Sequence, residues 1–359
     1  MKAIKFDFNN IFSSSIGNTH GVTQKDLQKF SGVAQKAREH LSAILASQEN
    51  RVALSLEWAV LPGQDQKTIA YIQKLGDEIA VKYENVMFLG IGGSYLGLKA
   101  CQDALCAPYY NEFYSARKGR PRVYFEGNNL DPETLSVLLN NLNPRKTFVV
   151  VISKSGETTE TKAAFAVVEP WLKNGVGKPA CRQAGNYGRQ VFCITDPKSG
   201  TLRKKVDAQQ AKDRLSFRSW PLLKGVGGRY SEFNMGLLHL AIVGIKIQEV
   251  LKGASDMAKI CARREISRNP AYLYALLHTI LYKQKHKPIT ILMPFSEGLK
   301  STADWYCQLL AESTGKKFSR KIKVDANGVE EWLRNENRIV NVGRTPVSTR
   351  GTNDLHSVQ

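Results

Sequence analysis

The sequence predicts an α/β protein of three αβα layers: two doubly wound parallel-sheet domains behind an N-terminal helical arm, the second domain incomplete. Three observations predict it. Short apolar, β-rich runs recur at 86–89, 122–126, 147–152 and 190–195, each followed by turn residues and then a helical pattern. Such runs are continuous rather than alternating, as strands covered on both faces are. The 359 residues are enough for two domains with separate cores.

Taken in order, residues 1–75 form the arm, amphipathic over 27–46 and without a glycine-rich loop. The first domain is expected over 76–220. The glycine-rich Gly225-Val-Gly-Gly-Arg-Tyr230 opens the second, over 221–359. There 288–293 reads as a strand and 302–314 as a helix. Beyond them lie the turn-rich Gly343-Arg-Thr-Pro346 and Gly351-Thr-Asn-Asp354, so the second domain's C-terminal part is missing.

Hydrophobic content of 42% and charged content of 23% are ordinary for a globular chain. The longest apolar run, 237–245, is interrupted by His239 and far shorter than a membrane span, and residues 1–8 lack a signal-like apolar stretch, so the cytoplasm is expected. Cysteines 101, 106, 181, 193, 261 and 307 form no Cys-x-x-Cys pair and read as buried thiols. The net charge of +19 is dispersed, with only short clusters at Arg203-Lys-Lys205 and Arg263-Arg264. It suits a small anionic ligand better than a specific nucleic acid.

The strongest chemical signal follows the 147–152 run. Ser153, Lys154, Ser155, Thr158, Thr159 and Thr161 crowd the point where a buried strand gives way to a helix. Unpaired first-turn N–H groups, the positive end of the helix dipole and hydroxyl donors together make an anion cradle, with phosphate the usual occupant. Gly90-Ile-Gly-Gly-Ser-Tyr-Leu-Gly97 also joins a strand to a helix. A dinucleotide fingerprint would need glycine at 95, where Tyr95 stands. It reads instead as a loop that lets backbone approach a ligand, with Gly93 and the donor Ser94.

Arg229 sits on a glycine hinge and is a permanent forked donor for phosphates or developing oxyanions. Gln308 and Glu312 share one face of the 302–314 helix. Near Trp305, Leu309 and Leu310 a carboxylate suits proton transfer, although a solvated glutamate fits the same pattern. His239 and His278 lie on apolar helical runs and read as core residues. His20, His40 and His286 have no companions that suggest chemistry. His356, in polar turn sequence, is the imidazole available for binding or proton transfer. No His/Cys/carboxylate spacing suggests a metal, and no nucleophile elbow is present.

In chain order, Gly90–Ser94, Ser153–Thr161, Val226–Ser231, Pro294–Ser296 with Trp305–Ser313, and Gly351–Ser357 resemble the phosphoglucose isomerase family. The resemblance implies two sugar-isomerase (SIS) domains and cofactor-free interconversion of glucose 6-phosphate and fructose 6-phosphate. It further implies that Ser153, Ser155 and Thr158 hold the phosphate, with Ser94 and Gln308 helping. Glu312 would move a proton between C1 and C2 through a cis-enediol, and Arg229 would stabilise the enediolate. His356 would help open the sugar ring, reaching the site from the partner subunit of a homodimer. Leu355 stands where the family usually has glutamine. Members also carry a late lysine and closing helices beyond this histidine, so the end at Gln359 fits either a fragment or a shortened homologue. A non-catalytic sugar-phosphate sensor is the alternative in another class, and a polyanion-binding protein a third.

Overall fold

The computed structural model describes residues 4–176 and 186–358; Cys181 lies outside them. The described residues fold as two compact units, each discontinuous in sequence. The first comprises 64–249, 293–308 and 349–359, and the second 1–63, 250–292 and 309–348. These bounds differ from the expected 1–75, 76–220 and 221–359. The Gln66–Lys82 helix, which the expected boundary between 75 and 76 would divide, belongs wholly to the first unit because its apolar face packs on the Gly236–Ile242 helix. A Cβ at Gly76 would stand 2.4 Å from that of Ala241, so the two helix backbones nearly touch.

The first unit is built on five parallel strands: β1 (Asn85–Leu89), β2 (Arg122–Glu126), β3 (Thr147–Ile152), β4 (Val191–Thr195) and β5 (Arg218–Pro221). Their order is β2-β1-β3-β4-β5. One sheet face presents Met87, Leu89, Val149, Val151, Val191 and Cys193. Against it pack the Pro132–Asn141, Thr159–Val176 and Thr201–Gln210 helices through Leu139, Val168, Leu172, Leu202 and Val206. On the opposite face Phe192 and Ile194 meet Ile72, Leu75 and Leu238. This is the expected three-layer, doubly wound arrangement. Every residue of β1, β3 and β4 is buried. β5 was not expected from the sequence; its Arg218, Ser219 and Pro221 suit a sheet edge rather than a core run.

The core histidine expected at 239 is fully buried. Its ring meets Phe88 edge-on at 5.3 Å, and Nε2 lies 2.8 Å from Oε1 of Gln102. Burial, with a smaller contribution from Lys99, pushes its pKa from 6.5 down to about 3. A group depressed on folding supports the fold fully above its unfolded pKa and withdraws that support as pH falls toward its folded one. Stability is therefore expected to fall below pH 6.5 by up to about 1.4 kcal/mol per pH unit. Urea unfolding of wild type and His239→Gln between pH 7 and 4 measures it, and equal slopes would contradict it.

In the second unit, the Gln24–Ala46 helix begins at a capping box in which Thr23 accepts from Asp26 N–H. Leu27 and Phe30 pack on Val22, Leu277 and Ile280, the last two from the Pro270–Gln284 helix. Strands β6 (Ile289–Leu292), β7 (Lys316–Val324), β8 (Glu330–Val342) and β9 (Thr345–Ser348) complete the nine among the described residues. β6 and β9 pair in parallel, and β7 and β8 form an antiparallel hairpin. Only β6 was expected. The hairpin's charged, mostly exposed strands hide the apolar alternation, but its turn has a readable signal in Asn327-Gly328. Gly328 takes φ +77°, and the Asp325 carboxylate accepts the Asn327 and Val329 N–H groups at 2.8 Å.

Candidate functional site

The sheet order places the site. β1 leads to β2 on one side and its other neighbour is β3, so helices leave these two adjacent strands in opposite directions. Ligands of doubly wound sheets sit in the crevice at that switch point, beyond the carboxyl ends. The β1–β3 register, Leu89 opposite Val151, sets the loops that begin at Gly90 and Ser153 side by side. These are the glycine loop and the hydroxyl loop.

The hydroxyl loop is held from within and without. Buried Ser153 donates its N–H to the Ile194 carbonyl at 3.1 Å. Its hydroxyl accepts the Gly156 N–H at 3.0 Å and lies 3.3 Å from the Thr158 hydroxyl. The Ser155 hydroxyl accepts the Glu157 N–H at 3.1 Å. From the next strand and helix, Thr201 donates N–H to the Ser155 carbonyl at 2.8 Å, and the Thr195 hydroxyl donates to the Lys154 carbonyl at 3.1 Å. Gly156, at φ +80°, is required, since a Cβ would stand 2.5 Å from Leu202 N. Thr158 accepts the Lys162 N–H at 2.9 Å, so its carbonyl opens the helix, and the first-turn N–H groups lie beside the hydroxyls. A hydroxyl that accepts one bond still has a hydrogen to donate. Lys154 and Ser155 are exposed and Thr158 half-buried, so the donors can reach a ligand in solvent.

The glycine loop meets the arginine loop. Ser94, half-buried, closes a short turn by donating N–H to the Ile91 carbonyl at 3.0 Å. Gly93 is buried so tightly that a Cβ there would lie 2.0 Å from the Gly228 carbonyl oxygen. Only glycine at 93 permits that approach, whereas a Cβ on Gly228 would stand an ordinary 3.8 Å from the Gly93 Cα; the contact sets the segment that carries Arg229 beside the one that carries Ser94. On the other side, the Trp305 indole N–H donates to the Arg229 carbonyl at 2.8 Å. Gln308 follows one turn later in the Lys300–Thr314 helix, with its amide 3.1 Å from where a Cβ on Gly92 would stand. Gly93, Ser94, Arg229 and Gln308 are thus brought together. Trp305 was expected only as an apolar neighbour; nothing local in the sequence signals its bond to a residue 76 positions away.

Glu312 lies in the same helix one turn beyond Gln308, but the division between units falls after Gln308, so Glu312 counts with the second. Its side chain is exposed. Lys316 Nζ donates to the Glu312 and Ser313 carbonyls at 2.9 and 3.0 Å, a cation at the helix C-terminus that fixes where the helix stops. His356 is exposed on the Asn353–His356 turn. That turn is ordered by Asp354, whose carboxylate accepts the Arg350 N–H at 2.6 Å and the Ser357 hydroxyl at 3.2 Å. The Gly351 N–H donates to the Pro294 carbonyl at 3.0 Å, joining two of the recognised motifs. Among the described residues no group of three or more His, Cys, Asp or Glu side chains is placed to hold a metal, and no helix is long and apolar enough to cross a membrane.

A doubly wound sheet whose switch point carries a glycine loop, a hydroxyl loop and an adjacent arginine defines an α/β protein with hydrogen-bond donors gathered at the carboxyl end of its sheet. The phosphoglucose isomerase family profile matches residues 72–331. The chain belongs to the phosphoglucose isomerase family. It is 36% identical over 356 residues to the glucose-6-phosphate isomerase of Carboxydothermus hydrogenoformans, covering 99% of this chain and 69% of that one. With the glucose-6-phosphate isomerase of Symbiobacterium thermophilum it shares 34% over 261 residues, 72% of this chain and 55% of the relative. The chain therefore spans between about half and about two thirds of these relatives' length. Among solved structures, a hypothetical protein of Thermus thermophilus matches with TM-score 0.71 and 30% identity, covering 93% of this chain and 68% of that one. A glucose-6-phosphate isomerase of Chlamydia trachomatis matches with TM-score 0.67 over 94% of this chain and 63% of its own; at 21% identity it supports the fold alone.

Proposed function

We propose that this chain is the isomerase portion of an enzyme that interconverts D-glucose 6-phosphate and D-fructose 6-phosphate in the cytoplasm. The observation that carries the reading is the meeting of the hydroxyl loop, the Gly93–Gly228 contact and Gln308 at the carboxyl end of one sheet. In this scheme Ser153, Lys154, Ser155 and Thr158 hold the 6-phosphate, with Ser94 and Gln308 completing its ring of donors. Glu312 removes the C2 proton of the open aldose to leave an enediolate with its charge on O1, O1 takes up the proton that O2 gives up, and Glu312 returns its proton to C1 as the C2 carbonyl forms. Arg229 stabilises the negative oxygen that develops between these steps. His356, exposed on its turn, assists ring opening from the partner subunit of a homodimer. Side chains alone carry the proton, so no cofactor enters the scheme.

The test is conversion of fructose 6-phosphate, read by coupling glucose 6-phosphate to a dehydrogenase. Turnover is expected. Saturable binding without turnover would replace the enzyme by a sugar-phosphate sensor, and absence of both would overturn the reading. Ser155→Ala with Thr158→Ala removes two donors and is expected to weaken fructose 6-phosphate binding by on the order of 100-fold, at about 1.5 kcal/mol per charge-assisted bond. Calorimetric titration of the variant checks it, and unchanged affinity would place the phosphate elsewhere.

A further inference from the structure

We propose that Trp305 is the positioning residue for Arg229: its indole N–H, by holding the arginine's own carbonyl, sets where the guanidinium stands. The inference rests on the isomerase reading for its catalytic consequence, but not for its geometry. The segment leading to Arg229 contains Gly225, Gly227 and Gly228, with Gly225 at φ +72°. Glycine backbone has little conformational preference of its own. The position of Arg229 must therefore be imposed by contacts from outside.

Two contacts do so, from opposite sides. Gly93 abuts the Gly228 carbonyl, leaving no room even for a methyl group. Trp305 Nε1 donates to the Arg229 carbonyl at 2.8 Å. The indole is itself anchored, because the first turn of its helix is tied to the Leu96–Leu105 helix that opens after the glycine loop. The Ser301 hydroxyl donates to the Asp103 carboxylate at 2.5 Å, and Lys99 Nζ reaches both oxygens of that carboxylate at 2.5 and 2.6 Å. A Cβ at Gly298 would lie 2.8 Å from the Asp103 carbonyl oxygen, so the two backbones are closely apposed there as well. Glycine loop, arginine loop and Lys300–Thr314 helix thus form a closed circuit of contacts, and Trp305 closes it. Gln308 lies three positions on, on the same helical face, and meets the glycine loop.

An arginine that stabilises a developing oxyanion acts only if it is already in place; a loosened one still binds a ground-state phosphate held by other donors. Loss of the indole N–H is therefore expected to lower kcat about tenfold while leaving KM for fructose 6-phosphate within about twofold. Two variants test this: Trp305→Phe, and 3-benzothienylalanine at position 305, an isostere with sulfur in place of N–H that keeps the packing. Affinity for a phosphorylated hydroxamate, an anionic mimic of the enediolate, should fall in step with kcat. Independently of any activity, tryptic cleavage after Arg229 in the folded protein, followed by mass spectrometry, should accelerate about fivefold to tenfold. Cleavage within twofold of wild type in the isosteric variant would overturn the positioning role. Faster cleavage with unchanged kcat would overturn its catalytic consequence. Faster cleavage in a chain whose wild type shows no turnover would sink the isomerase reading and leave the positioning role standing.

Discussion

Glu312→Gln is expected to lower turnover of fructose 6-phosphate by about 10²–10⁴-fold, the contribution of a positioned general base. Glutamine keeps the length and hydrogen-bonding shape of the side chain but cannot accept a proton. Binding of fructose 6-phosphate should survive, since the proposed phosphate donors lie in the 153–158 loop and at Ser94 and Gln308. A normal kcat would remove Glu312 from the mechanism. A loss of binding equal to the loss of turnover would make it a binding residue instead. Glu312 is exposed at a helix end whose last carbonyls are held by Lys316, and these backbone bonds do not depend on the residue's side chain.

Gly93→Ala is expected to be the most damaging single methyl group in the first unit. The added Cβ would stand 2.0 Å from the Gly228 oxygen and 2.2 Å from its carbon, and neither can rotate aside as a side-chain tip would. Overpacking typically costs 1–3 kcal/mol, and a backbone-to-backbone clash belongs at about 3 kcal/mol or above. If the loops part to relieve it, Arg229 moves with Gly228, so turnover should fall even where the variant folds. Gly32→Ala is the control: an exposed helix position with nothing within 4 Å of a Cβ, expected to gain about 0.5–1 kcal/mol. Urea unfolding of both variants, with fructose 6-phosphate turnover, decides it. Equal stability of the two would refute the contact.

Legibility in the sequence followed burial. β1, β3 and β4 were expected to within a residue because strands covered on both faces must be apolar throughout, and the edge strand β2 because its Val123-Tyr-Phe125 centre is still β-rich. β5 is an edge, and β7 and β8 face solvent, so their composition is set by water rather than by a core. The hydroxyl loop was legible because its donors are neighbours in the chain and its chemistry is concentrated in a few residues. The Gly93–Gly228 and Trp305–Arg229 contacts were not, because each joins segments that only the finished fold brings together. Single glycines and one indole carry no local mark of such a partner. The bounds of the units were hidden for the same reason: segments separated by more than forty residues share one core.

That interleaving bears on synthesis. β9, at 345–348, pairs with β6, and the Gly351 N–H bonds to Pro294, so each unit waits for residues near position 350. When about 300 residues have been released, the first unit has all five strands of its parallel sheet, while the second still lacks β7, β8 and β9. At roughly 5–20 residues per second, the fifty or so residues between β6 and β9 keep β6 unpaired for seconds, longer than a helical region needs to collapse. Through that interval β6 presents an unpaired strand edge, the kind of surface that invites mispairing.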